Sequence, residues 1–170
     1  IPASVTTIVS SAFQNSGLTS ATVSVDKLLT FGVSVGTNQS FFGKAGVTIV
    51  GYKVFSGANE LTGATAQLNG ATQAIIEGYT SIGISAFQNA KTLTSITIPA
   101  SVTTIGAGAF QNSGLTSITI PNLVTLIDGS AFRECTKLIS VTFEENSQLT
   151  TIVGNNAFNG CSSLNSITIP

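Results

Sequence analysis

Histidine, methionine and tryptophan are absent from the 170 residues, and charge is scarce: six Lys or Arg against seven Asp or Glu, a formal net charge of -1. Without His the chain lacks the commonest general base and the commonest metal ligand, so Ser-His-Asp and Cys-His devices are excluded. A chain so poor in Lys and Arg has no basic field for a phosphate backbone and no acidic tail, so nucleic acid is not an expected partner. No apolar run approaches the roughly 20 residues of a membrane-spanning helix, so no transmembrane segment is expected in this piece. The start, Ile1-Pro2, shows no basic and apolar leader, and those two residues recur as Ile169-Pro170, so the chain is expected to be a window on a longer array whose flanks carry caps and anchor. Apolar residues make up 42% of the total, which with the low charge argues against disorder.

What is present is repetition. Leu93 to Leu115 is LTSITIPASVTTIGAGAFQNSGL, Leu115 to Leu138 is LTSITIPNLVTLIDGSAFRECTKL, and Leu138 to Leu164 is LISVTFEENSQLTTIVGNNAFNGCSSL. A truncated LNSITIP follows, and Ile1 to Val23 is another copy. The Phe of the Ala-Phe pair stands at Phe13, Phe87, Phe110, Phe132 and Phe158, the last three intervals being 23, 22 and 26 residues. A period near 23 lies in the leucine-rich-repeat range, far from helical-pair and propeller arrays.

The physics of one unit points the same way. Ile96 and Ile98 alternate with Ser95 and Thr97, the period-two signature of a strand with one buried face. Pro99 and Pro121 lack an N–H and end the strand. Val102 and Ile105 then turn inward, and Ala109-Phe110 sits on a short 3₁₀ or helical turn before Leu115 closes the coil. One coil cannot bury its own Ile, Phe and Leu, but stacked coils bury them as ladders. The expected fold is a leucine-rich-repeat solenoid: a parallel β-sheet on the concave face, with 3₁₀ turns and a second short extended segment on the other side.

The pattern of strand, Pro and SVTxIGxxAFxxCxxL arc resembles the BspA-like leucine-rich repeat over residues 1–23 and 79–170. One array covering 1–170 is expected, regular over 1–23 and 79–170 and diverged with insertions over 24–78. Within it, Val47 to Thr65 aligns with Phe55 at the Phe position and Leu61 at the Leu position, while Gly78, Tyr79 and Ile82 sit where Ser101, Val102 and Ile105 sit. Asn69-Gly70 carries a two-residue hairpin signal. A small β unit inserted between two arrays is the alternative.

The few chemical motifs are weak. Gly106-Ala107-Gly108 lacks the third glycine of a dinucleotide fingerprint, and Gly43-Lys44 lacks the flanking residues of a phosphate loop. Cys135 and Cys161 both stand three residues after the repeat Phe, where other copies have Ser16, Ala58, Ala90 and Ser113. Buried free thiols fit a position that wants a small side chain, and a disulfide between coils stays open. Glu144 and Glu145, with Asp128 and Glu134, suggest a solvated loop or a weak cation or partner edge, without calcium-loop spacing. Asn38-Gln39-Ser40 is a glycosylation sequon. No catalytic residue, cofactor or metal site is expected.

The candidate binding surface is the outward face of the sheet: Ser20 and Thr22, Ser95 and Thr97, Ser117 and Thr119, Ser140 and Thr142, Ser166 and Thr168. Solvent-facing strand residues chosen for β propensity are the plain alternative. The resemblance implies a non-enzymatic module, extracellular or at the cell surface, that binds or adheres to an extracellular protein or glycan. Two other readings are open: a subunit of an extracellular filament or layer, self-associating end to end, and ice binding through the Thr array, which the interspersed Ser opposes.

Overall fold

A computed structural model describes residues 12–24, 26, 36–41, 44–154 and 156–170; the first copy up to residue 11 lies outside them. Alternating residues drive the longer strands. β1 (Ser20–Ser24), β3 (Lys44–Ser56), β5 (Gln73–Glu77) and β7 (Ser95–Thr97) form a parallel sheet in that order. The next coils continue it as β9 (Ser117–Ile120), β11 (Ser140–Phe143) and β13 (Ser166–Ile167), with Thr116 N–H donating to Thr94 O at 3.1 Å across the join. Burial alternates as expected: Ile118 and Ile120 point inward while Ser117 and Thr119 face solvent.

After each turn the chain makes a two-residue strand on the opposite side of the coil. These are β4 (Glu60–Leu61), β6 (Ser81–Ile82), β8 (Thr104–Ile105), β10 (Leu126–Ile127) and β12 (Thr151–Ile152), a second parallel sheet with Leu61, Ile82, Ile105, Ile127 and Ile152 in one column. The fold is the expected solenoid, almost without helix; the one 3₁₀ helix described is Ala64–Gln67.

The returning arc is a pair of tight turns around each Phe. The residue two before it takes a left-handed backbone at Ser85, Gly108 and Ser130, and the residue two after it at Asn15, Asn89, Asn112, Glu134 and Gly160. This geometry aims the arc N–H groups along the stack. Phe87, Phe110 and Phe132 donate to Ala109, Ala131 and Ala157 O of the following coil at 2.7, 2.7 and 2.8 Å, so the buried arc has no orphaned peptide there. The rings pile up beneath, Phe87, Phe110, Phe132 and Phe158 stacking at centroid distances of 5.4, 5.3 and 5.1 Å.

The diverged segment keeps the coil but not the expected alignment. Phe55 lies in β3 opposite Ile76, and Leu61 occupies the Ile105 column, not the Leu position. The Phe position of that arc belongs to Thr65, whose N–H donates to Ala86 O as Phe87 does to Ala109 O. Volume explains the exchange. Phe55 reaches the ring of Phe87 edge-on at 5.5 Å, and Leu68 fills the small-residue position expected for Ala58, so the core stays filled although Thr65 is small. Tyr79 and Ile82 do align with Val102 and Ile105, since Ser81 and Ile82 pair with Thr104 and Ile105.

Asn69 and Gly70 have φ of 48° and 81°, the left-handed pair a tight turn needs, yet they join the arc to β5 and make no hairpin. The hairpin is formed by β2 (Gly36–Phe41), antiparallel to the start of β3. β1 pairs with 48–52 of β3, so β2 and then β5 share its other edge. The sequon at Asn38 therefore lies on a strand, with Gln39 opposite Val47.

Candidate functional site

Parallel pairing puts equivalent residues side by side one rung apart, about 4.8 Å, so a repeated hydroxyl becomes a row. Ser117, Ser140 and Ser166 are in direct register, as are Thr119 and Thr142, and the Thr116–Thr94 bond extends the two rows to Ser95 and Thr97. Thr168 stands exposed just beyond β13, continuing the Thr row. Four rungs thus carry a two-column Ser and Thr face. Ser20 and Thr22 do not belong to it: they pair with Thr48 and Val50, four residues ahead of the row. The Ser column is continued instead by Gln73, Tyr52 and the buried Ser24, and the Thr column by Ile75 and Val54. The hydroxyl array therefore ends at the β5–β7 boundary, because the long β3 shifts β1 along itself.

The threonines of this protein divide by what their hydroxyls do. Thr80, Thr103, Thr125 and Thr150 each donate to a backbone carbonyl one rung back, at 3.0, 3.3, 3.3 and 3.0 Å. Thr94 and Thr116 do the same beside the first sheet, at 3.0 and 3.2 Å. These two ladders tie coil to coil and went unseen in the sequence, where each Thr looks like its neighbour. Thr97, Thr119 and Thr142 by contrast are exposed and have no hydrogen-bond partner among the described residues. They face outward with their donor and acceptor capacity free.

The face deepens toward β13 into an open groove of about 520 Å³, floored by Ser140, Thr142, Ser166 and Thr168 and walled by the loop 144–147. Glu144 is held there by accepting the Asn122 N–H at 3.0 Å. The four acids do not converge: Asp128 caps Gly129 N–H on the second-sheet side, Glu134 sits beside Arg133 on the arc, and no metal-holding cluster exists among the described residues.

The two thiols occupy one position on successive coils. Cys135 Sγ donates to Phe110 O at 2.9 Å and Cys161 Sγ to Phe132 O at 3.1 Å, and both are free. The Cys161 thiol beside it, a hydrogen-bond donor to the Cys135 thiolate, brings the buried Cys135 down to about 7, against burial. Donating to that thiolate, and then burial, push Cys161 strongly up. The pair gives up one proton and keeps the second.

The profile of the BspA type leucine rich repeat region matches residues 1–67 and 65–170 in six copies. Among solved structures, a leucine-rich repeat protein from Bacteroides ovatus ATCC 8483 is 23% identical at a TM-score of 0.53, the match covering 92% of this chain and 38% of that one. A leucine rich cell surface protein from Faecalibacterium prausnitzii A2-165 is 23% identical at a TM-score of 0.57, over 98% of this chain and 52% of that one. The chain thus spans about half the length of these structures or less. No curated protein matches it.

Proposed function

The chain belongs to the BspA-type leucine-rich-repeat family, and from that premise we propose that it is a non-enzymatic binding module of a surface or secreted protein, recognising an extracellular protein or glycan through the Ser and Thr face of its first sheet. The observation that carries this is the division of the threonines. A solenoid that spends one set of hydroxyls on carbonyls of the preceding coil leaves two in-register columns, from Ser95 and Thr97 to Ser166 and Thr168, unspent, with the Thr column exposed, beside an open groove. Rigid, evenly spaced donors and acceptors suit an extended partner laid along the stack, as solenoid faces generally do. Surface placement is supported by the family and by the description of the Faecalibacterium protein.

The test is saturable binding to immobilised matrix proteins and to a glycan array, compared with a Thr97→Lys, Thr119→Lys, Thr142→Lys variant whose circular dichroism and melting match the parent. Loss of binding in the folded variant supports the face; full retention moves the site off it.

A further inference from the structure

One place where the repeats differ in length is the return from Phe to Leu. Leu93, Leu138 and Leu164 stand six residues after their Phe, whereas Leu115 stands five after Phe110. The shortened coil is pulled back onto its predecessor: Gly114 N–H donates to Ala90 O at 3.0 Å, where the longer arcs bond Lys91 to Asn89 O and Thr136 to Glu134 O within themselves. A Cβ on Gly114 would come within 2.2 Å of Lys91 O, so the position admits only glycine.

The missing residue leaves a notch of about 260 Å³ between two full-length coils, lined by Lys91, Asn112, Ser113, Gly114, Thr136 and Lys137. The two lysines flank it two rungs apart, roughly 10 Å at strand spacing. Both are exposed, and neither has an ion-pair partner among the described residues. The neighbouring acid is turned away: Glu134 lies over Gly160 of the following coil, 3.1 Å from where its Cβ would stand, and pairs with Arg133 at 3.7 Å. Two of the chain's six basic side chains thus line a notch whose other lining residues are uncharged. Ser113 is turned inward to Cys135 Sγ, while the Asn112 amide, which gives one N–H to Asn89 Oδ1 at 2.8 Å, keeps its other, and Thr136 adds a hydroxyl.

We propose that this notch binds the oxyanion substituent, sulfate or carboxylate, of an acidic polysaccharide. Two exposed lysines on either side of an amide and a hydroxyl suit a compact anion. A glycan is favoured over a protein carboxylate because the surroundings are the amide ladders Gln88–Gln111 and Asn89–Asn112. None of the exposed large apolar side chains among the described residues, Ile84, Leu123, Ile139, Val153 and Ile169, lines the notch, so its lining lacks the anchors of a protein interface. The inference deepens the binding-module reading by naming a ligand class, but at a site separate from the Ser and Thr face.

The test is calorimetric titration with a sulfated oligosaccharide, a uronate oligosaccharide, the uncharged parent sugar and an acidic peptide, with amide NMR shifts reporting Asn112 and Gly114. The proposal expects the charged sugars to bind and the uncharged sugar not to, with shifts centred on the notch. Lys91→Gln or Lys137→Gln alone should weaken binding at least 10-fold, while Lys44→Gln should leave it unchanged. Charged sugars that fail to bind, or that bind equally to the Lys91→Gln, Lys137→Gln double variant, overturn it, as does an acidic peptide that binds as tightly. An uncharged Thr97→Val, Thr119→Val, Thr142→Val variant separates the two readings: sulfated-sugar binding retained there but lost in the lysine variants upholds the notch while the face fails, and the reverse upholds the face alone.

Discussion

At the scale of single residues, the core is a column in which each ring needs the next. Phe110 is fully buried between Phe87 and Phe132, so Phe110→Ala should cost about 3–5 kcal/mol, read as a lower urea midpoint. Thr65 offers the opposite test. It sits in the Phe column, but Phe55 already approaches Phe87 at 5.5 Å. Thr65→Phe should therefore overpack and destabilise by about 1–3 kcal/mol, whereas a vacant position would gain from it. The thiols are shielded in different ways, Cys135 by burial and Cys161 by being held protonated. A disulfide reagent at pH 8 should label the native chain far more slowly than the unfolded one, and denaturant should release two thiols.

At the scale of elements, the same side chain does different work in different rows. Thr103→Val and Thr125→Val keep the shape but lose a hydrogen bond to the preceding coil and should each cost about 0.5–1.5 kcal/mol. Thr97→Val and Thr119→Val on the open face should change stability by less than about 0.5 kcal/mol, so paired melting curves read the division directly. This division was illegible in the sequence, since both kinds of Thr stand beside a β-branched residue in LTSITI and SVTTI. The strand pattern, the Pro turns and the inward Ile and Phe were legible, because each follows from a period or a backbone rule within one coil. The register of the diverged coils was not, because Phe55 replaces a ring from the strand side and only contact across coils reveals it.

At the scale of the whole molecule, each coil rests only on its neighbours, so stability is graded along the stack. Coils up to Leu138 hold the fully buried side chains, Leu61 and Ile76 among them, while Ile152, Leu164 and Ile167 are only partly covered. Hydrogen exchange should therefore be slowest in residues 102–141 and faster from 151 onward. A concentration series of solution mass should show a monomer for a binding module, and growth into fibres would favour the filament reading. The sequence by itself determined the repeat, its period, the two-faced strand and the family, because these are written in local periodicity and in a backbone that only certain residues satisfy. Tertiary structure alone decided which hydroxyls are spent and which are free, that Ser20 and Thr22 fall out of the row, and that a one-residue deletion opens a notch between two lysines. These depend on which residues stand one rung apart, a relation among coils that no single coil contains.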